Sequence, residues 1–554
     1  MGLIKDKYKA ALLFLALAIT GAAFLPVLHN GFVEWDDTAY VTQNQDIRNL
    51  SLQSVAHIFS SFHLGLYKPL VILSFAVERH FFGLNPFIYH ADNLLFHLCN
   101  VALVFFLCIR LCNVPEIAFM TALLFGIHPM HAESVAWVSE RKDMLYGMFF
   151  LLSFLFYLRY REGGGMRCYL VSCGAFALSL ICKPMGVTLP FILLLADYYK
   201  GRELNRAALW DKLFYVLAAA LVMLADLHAA GKANVYYVLP EGYTRLQSSL
   251  AMCYGFVLYV AKAFIPVGQA AVYPYPELLF GIMPAAYMLS PLPLALICGM
   301  AIFFAAKSRE AMFGLAFFAA ALAPGMQWLP VTPSVIFDHY TYISYIGIFF
   351  ALAAFLHNFC RTERLKKIVA AFFFVVVAAF CILTWQRALV WRDTLTLWSD
   401  ELSKYPESLI ALNNRAYEFI KRGMLDAATG DLNRALIISP DNQSALVNRG
   451  NIFARKGDYG RALADYAAAE AGGRETATIC NNRGNVLRSM GRYGEAQKEY
   501  IRAVELDPSD RLAHYNLSDI YNRLGNRGMA VEEYRRGLAI APELAGIAPK
   551  PSGL

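Results

Sequence analysis

Apolar residues arrive in long blocks over the first two thirds of the chain and in a spaced, polar-interrupted pattern over the last third. Blocks long enough to cross roughly 30 Å of hydrocarbon fall near 8–28, 88–111, 115–129, 144–160, 168–182 and 184–199. Others follow near 213–230, 246–265, 285–306, 311–330, 339–357 and 367–385. Short basic clusters separate them: Lys5 to Lys9, Arg159 to Arg167, Lys200 to Arg206, Lys307 to Arg309 and Arg361 to Lys367. The positive-inside rule sets these clusters in the cytoplasm. The loop after the first block, and everything after Trp385, is then expected outside. Twelve crossings would return the tail to the cytoplasm, so about eleven are expected, with 213–230 or 246–265 re-entrant or interfacial. The stretch Lys68 to Gly83 is interrupted by Glu78, Arg79 and His80 and is expected to lie along the outer surface.

Beyond residue 386 the pattern changes to a repeat. Pro406, Pro440, Pro508 and Pro542 fit a period of 34 with Arg474 in the missing place, and Gly423, Gly457, Gly491 and Gly525 keep the same step. Ala428, Ala462, Ala496 and Ala530, and Tyr466, Tyr500 and Tyr534, do so too. A 34-residue period of small, aromatic and proline positions is the tetratricopeptide signature, a helical hairpin repeated into a solenoid. The expected architecture is all-α: a polytopic membrane domain over 1–385, a connecting helix over 386–408, four repeats over 409–542 and a tail over 543–554. Asn414, Asn448, Asn482 and Asn516 also recur every 34 residues, on the first helix of each unit. Stacking makes them a ladder of amides that can pair with a peptide backbone without reading its side chains, or a packing column with no such role.

Composition agrees with this division. The 554 residues are 58% hydrophobic and 16% charged, too apolar for an ordinary soluble protein. The net charge of +7 sits in the inter-block clusters, which argues against nucleic-acid binding. Most of the 11 cysteines lie inside apolar blocks, so no disulfide framework is implied. Lys5, Lys7 and Lys9 around the start of the first block resemble a signal sequence, but without a small-residue cleavage site the block reads as a retained helix.

Four constellations could carry chemistry. Asp36 and Asp37, just past the first block, are paired carboxylates at a membrane surface; a shared site drives their pKa values apart and suits a general base, while a helix cap or surface ion pair is the plainer role. His128, His131, Glu133, Arg141, Lys142 and Asp143 form a second cluster on the same expected side. Glu133, Trp137 and Arg141 at steps of four are expected on one helix face, with Arg141 and Lys142 able to hold a phosphate. Metal ligation by His128, His131 and Glu133 matches no strong spacing. His90, Asn93, His97 and Asn100 form a polar stripe suited to interhelical hydrogen bonds or to a cavity wall. Asp338, His339, Tyr340 and Tyr342 lie outside ahead of a late crossing, and Lys183 before Pro184 is another candidate for a phosphate.

As an ordered set, these pieces resemble a known family. Trp35-Asp36-Asp37, the run from Tyr67-Lys68-Pro69-Leu70 to Tyr89-His90 and Asn93, His128-Pro129 through Asp143, Lys183-Pro184, Asp338 to Tyr342 and the repeat tail are similar to bacterial members of the transmembrane and tetratricopeptide-repeat O-mannosyltransferases, of the GT-C class. The resemblance implies a sugar, mannose or a similar hexose, carried on a polyprenyl phosphate and passed with inversion to serine or threonine hydroxyls of exported proteins. Asp36 would be the base and Asp37 its partner. His128, His131, Glu133, Arg141, Lys142, Asp143, Lys183, Asp338, His339, Tyr340 and Tyr342 would handle donor phosphate or sugar, and the asparagine column the polypeptide. No cofactor is expected to be required, and a divalent metal is left open. The family's Asp-Arg-Tyr reads here as Asp338-His339-Tyr340, which loses a permanent cation. The implied place is the bacterial inner membrane, N-terminus in the cytoplasm, catalytic loops and repeats periplasmic or extracellular. Glycosyl or glycan transfer to a lipid or surface polysaccharide, and a non-catalytic membrane scaffold, are the competing readings.

Overall fold

The computed structural model describes residues 2–203, 205–233, 243–326, 334–473 and 475–540, and the chain divides into two compact units, Met1–Lys404 and Tyr405–Leu554. Among the described residues every regular element is helical.

The first unit runs α1 (Gly2–Phe24), α2 (Leu52–Ser60), α3 (Pro69–Phe82), α4 (Pro86–Cys112), α5 (Pro115–Ile127), α6 (Ala132–Ala136), α7 (Arg141–Arg159), α8 (Gly165–Leu180) and α9 (Leu189–Tyr199). It continues with α10 (Arg206–Trp210), α11 (Leu213–Ala233), α12 (Arg245–Phe264), α13 (Ala285–Met288), α14 (Pro291–Lys307), α15 (Arg309–Leu322), α16 (Thr341–Phe359), α17 (Glu363–Val390) and α18 (Thr394–Lys404). Each apolar block supplies a helix. Pro69, Pro86, Pro115 and Pro291 open four of them, at the position where a missing N–H costs nothing.

Six spans are long and apolar enough to cross a membrane: Asp6–His29, Pro86–Cys112, Arg206–His228, Ala285–Lys307, Asp338–Phe359 and Glu363–Val390. They make this an integral membrane unit. Of the two blocks suspected of not crossing, the one at Arg206–His228 is in this set and α12 is outside it. The core is α4 packed against α5 and α7, with α5 also against α1 and α16, and α15 against α16. Gly314 and Gly347 let α15 and α16 touch backbone to backbone; a side-chain carbon on either would overlap the other's carbonyl oxygen. α3 packs on α4 and α7 and buries Val71, Ile72 and Phe75.

The polar stripe of α4 bonds to neighbouring segments. His97 meets the Tyr342 hydroxyl at 2.9 Å and the Gly126 carbonyl at 2.9 Å, and Asn100 donates to the Met144 carbonyl and to Tyr342. α18 belongs to this unit: its Glu401 accepts from the Ala271 N–H at 2.9 Å, and its Trp398 is fully buried.

The second unit is a row of helix pairs: α19 (Leu409–Lys421) with α20 (Leu425–Ile438), α21 (Gln443–Arg455) with α22 (Tyr459–Ala471), α23 (Ala477–Ser489) with α24 (Tyr493–Leu506), and α25 (Arg511–Arg523) with α26 (Arg527–Ile540). Gly423, Gly457, Gly491 and Gly525 take left-handed φ of +76°, +79°, +75° and +84° just after the first helix of each pair, where a side chain would be strained. Ala428, Ala462, Ala496 and Ala530 are buried at the helix contact, and Pro406, Pro440 and Pro508 fall two residues beyond a helix end. Half-buried ion pairs repeat with the same step: Arg415 with Asp431 at 2.7 Å, Arg449 with Asp465 at 2.8 Å and Arg483 with Glu499 at 2.8 Å. Arg474, Pro542 and the tail over 543–554 lie outside the described residues.

Candidate active site

The loop after α1 is fixed before any side chain is placed in the site. Gly31 N–H donates to the Arg392 carbonyl at 2.9 Å, Asn30 to the Ala388 carbonyl at 3.0 Å, and Glu34 N–H to the Thr394 hydroxyl at 2.9 Å. Trp35 stacks on Trp137 with centroids 4.5 Å apart and meets the edge of Trp398 at 5.1 Å, while Trp137 stacks on Trp391 at 5.2 Å. Four tryptophans from three segments thus clamp the chain next to Asp36 and Asp37.

The two aspartates take different environments. Asp37 is buried and accepts from Val33 N–H and Ser139 N–H, both at 2.9 Å, and from the Ser139 hydroxyl. Burial pushes its carboxyl up to about 6, against the pull of those bonds and with the help of neighbouring Asp36. Asp36 keeps 27% of its side chain exposed, faces a cavity of about 590 Å³ and stands 3.8 Å from the Lys142 ammonium. The pair is split into a buried, hard-to-ionise acid and a part-exposed group beside Lys142.

Three lysines line the same cavity as Asp36. Lys142 meets Glu140 at 2.6 Å, and Lys183 meets Glu140 at 3.4 Å and also pairs with Asp143. Lys68 donates to the Tyr40 hydroxyl at 3.1 Å and is 3% exposed. Burial would raise Glu140, but His339, Lys142 and Lys183 outweigh it and hold this carboxylate well below its usual range. Lys142 is held well above the usual lysine value, because Glu140 and Asp36 outweigh its burial. Lys68 is pushed well below it by burial and by the charge of Lys142. Leu64, Leu66, Met185 and Met223 give the cavity an apolar wall beside the ammonium groups.

The expected residues therefore divide. Asp36, Lys142, Lys183, His339 and Tyr340 line the cavity. Asp37, Asp143 and Glu133 stand behind it; Glu133 accepts from or bonds His339 Nδ1 at 2.9 Å, and Asp143 accepts from the Ser134 hydroxyl at 3.0 Å. His128, His131, Arg141, Asp338 and Tyr342 are buried off the cavity. His128 bonds the Ala263 carbonyl at 3.2 Å, His131 the Phe125 carbonyl at 2.8 Å, and Asp338 accepts from the Tyr273 hydroxyl at 2.7 Å. Arg141 is engaged by Glu78 at 2.5 Å, by Asn93 and the Tyr89 carbonyl at 2.8 Å, and by the Phe75 ring. The expected single helix face through Glu133, Trp137 and Arg141 does not form: α6 stops at Ala136, Trp137 is extended at φ −91° and ψ 117°, and α7 starts only at Arg141. The break lets Arg141 turn into the bundle while Lys142 turns to the cavity. Among the described residues no three His, Cys, Asp or Glu side chains converge as a metal site would need.

Sequence reasoning includes Glu140 and Trp137 in the second cluster and Lys68 in the resemblance without giving them a role, and it does not single out Tyr40 or the tryptophan clamp. For Lys68 a signal exists: like Lys183 it directly precedes a proline that opens a helix, α3 for Lys68 and the turn Pro184–Thr188 for Lys183. In the repeat unit Asn414, Asn448 and Asn482 are half-buried, with no hydrogen bond to other described residues, whereas Asn516 donates to Asn481 at 2.8 Å.

Comparison with known proteins gives matches to repeat families and to curated relatives. The family described as Tetratricopeptide repeat matches residues 401–475 and 513–544, and that described as TPR repeat matches 484–525. The chain is similar to Protein O-mannosyl-transferase TMTC1 of Mus musculus, 33% identical over 144 residues that make up 24% of this chain and 15% of that protein. It is similar to Protein O-mannosyl-transferase tmtc2 of Xenopus laevis, 32% identical over 186 residues, 31% of this chain and 22% of that one. With human TMTC4 the identity is 30% over 189 residues, 29% of this chain and 26% of that protein, so the chain spans about a quarter or less of the length of these curated relatives. Over less than a third of its length the chain is thus similar to proteins named Protein O-mannosyl-transferase, and it carries a tetratricopeptide-repeat array.

Proposed function

We propose that this chain transfers a hexose, mannose or a close analogue, from a polyprenyl-phosphate donor to serine or threonine hydroxyls of polypeptides at the outer face of the membrane. The observation that carries the reading is the cavity lined together by the part-exposed Asp36 and by Lys68, Lys142 and Lys183. The names of the relatives as protein O-mannosyl-transferases support it.

In this reaction the acceptor oxygen bonds to the anomeric carbon as the bond from that carbon to the donor phosphate breaks, inverting the configuration. The hydroxyl proton passes to Asp36, and the electron pair of the broken bond stays on the phosphate. Charge grows there in the transition state, so fixed ammonium groups lower the barrier. Glu140 between Lys142 and Lys183 lets two cations stand close together before the donor arrives. A phosphate entering beside Lys68, which burial and Lys142 hold low, favours its charged form and so offers a cation where Asp338-His339-Tyr340 has no permanent one. Asp37 does not reach the cavity; through Ser139 and Val33 it positions the loop that carries Asp36. The unpartnered amides of Asn414, Asn448 and Asn482 suit sequence-tolerant binding of an extended polypeptide.

The test is Asp36→Asn in the full chain, assayed with a peptide acceptor and with a lipid acceptor. Turnover onto peptide falls by about 10²- to 10⁴-fold while donor binding and thermal unfolding stay unchanged. Normal turnover by the folded variant removes the base, and activity of the parent on lipid acceptors alone favours the competing glycosyl transfer.

A further inference from the structure

Two tight turns of the membrane unit share an uncommon backbone. In His63-Leu64-Gly65-Leu66 the outer residues exchange backbone hydrogen bonds of 3.0 and 3.1 Å, and in Leu279-Phe280-Gly281-Ile282 both are 3.0 Å. Both central pairs are left-handed: φ is +48° at Leu64 and +73° at Gly65, +52° at Phe280 and +78° at Gly281. A turn of this shape favours Asn, Asp or Gly at its first central position, because left-handed backbone crowds a bulky side chain. An apolar residue kept there is explained by where its side chain goes. Leu64 goes to the cavity wall. Phe280 packs on none of the described residues: it is 95% exposed, with Leu279 at 73% and Ile282 at 57%.

The following segment indicates what covers it. No charged residue occurs between Glu277 and Lys307, and no residue of α14 is buried although it packs on α12 and α15, so α14 leaves an apolar face of the kind that lipid covers. α14 and α15 pack as neighbours joined by one residue, Ser308, and the far end of α15 leads to Pro324 on the cavity wall. The start of α14, and the turn just before it, are therefore on the cavity side. α12 keeps to that side at both ends. Gln247 in its first turn donates to the Gly281 carbonyl at 2.8 Å, and the Leu250 carbonyl accepts from the Ser290 hydroxyl at 3.2 Å. In its last turn the Ala263 carbonyl bonds His128, which opens the segment leading to the cavity lysines. Leu246, Ile265 and Val267 at its two ends are more than half exposed.

We propose that α12 and the Leu279–Ile282 turn form an apolar shelf seated in the leaflet on the cavity side, with α12 lying along the membrane rather than crossing it. The shelf sets the depth of the segment whose Tyr273 meets Asp338.

The experiment reconstitutes the full chain in phosphatidylcholine vesicles containing a photoreactive lipid, its diazirine either just below the headgroup or at the end of the acyl chain, and maps adducts by mass spectrometry. The shallow probe should label residues 279–282 and both ends of α12, while α14 is labelled by both probes. Phe280→Asn, which suits the left-handed backbone, should keep the fold and lower adducts at the turn by roughly tenfold, as loss of a partly buried aromatic ring predicts. Labelling of the middle of α12 by the deep probe would make it a crossing helix and overturn the proposal. So would an unlabelled turn beside a labelled α14, or cross-links from the turn to a second copy.

Discussion

The membrane unit buries charges at two ends of its helices, and the two clusters differ in what they leave open. At the end formed by the close of α7 and α9, Asp197 is held by Lys212, by Arg202 at 2.9 Å and by the Tyr157 hydroxyl at 2.7 Å. Asp211 beside it meets Arg202 at 2.7 Å and Lys212 at 2.8 Å. That cluster closes on itself and fastens α7 to α9 and α10. At the start of α7, by contrast, Lys142 and Lys183 pair with Asp36, Glu140 and Asp143, Lys68 bonds the neutral Tyr40 hydroxyl, and all three lysines still line a cavity together with Asp36. Buried charge in a membrane domain thus signals chemistry only where the ionic groups keep a free side; without one the same residue types act as fasteners.

This contrast can be tested by removing charges. The largest effect is expected at the closed cluster. Asp197→Ala leaves Lys212 and Arg202 with Asp211 as their shared carboxylate and should cost up to about 3 kcal/mol of stability, read as a fall in thermal unfolding in detergent, with unchanged turnover per folded molecule. Lost turnover without lost stability would erase the distinction. The next effect concerns Asp37, whose carboxyl rises from 3.8 to about 6 on folding. A raised acid favours the protonated folded form, so its contribution is full below pH 4 and is lost as pH climbs through 6, by about 3 kcal/mol. Unfolding curves across that range should show the decline, and Asp37→Asn should flatten it. The smallest effect is at Lys68, whose bonding partner is the neutral Tyr40 hydroxyl. Lys68→Met should leave stability unchanged or higher and weaken donor binding by about ten- to a hundredfold, the worth of one hydrogen bond to a charged group.

Much of this organisation is legible in residue order, for reasons that differ between the units. In the repeats each helix pair contacts mainly its neighbours, so Gly423, Ala428 and their successors reappear at fixed spacing and the fold is written locally. In the membrane unit the apolar blocks announce helices but not which of them meet. Asp36 is readable because a carboxylate beside a hydrophobic block is rare. Lys68 is not, since only the folding of the first loop over Tyr40 brings it beside Lys142, which lies more than seventy residues later. Arg141 misleads for the opposite reason. Its neighbours in sequence suggest a phosphate ligand, but the extended residue Trp137 resets the helix phase and delivers it to Glu78 and Asn93. The tryptophan clamp joins residues 35, 137, 391 and 398, separations that no local pattern can reveal.

That clamp has a practical consequence. The backbone carbonyls of Ala388 and Arg392, the Thr394 hydroxyl and the indoles of Trp391 and Trp398 together make the floor on which the Asp36 loop rests. A fragment cut where the hydrophobic blocks end, at residue 385, would keep both aspartates and forfeit their mooring. Whoever isolates the membrane half for study must carry the chain through Lys404, since its opening and closing segments were folded as one piece.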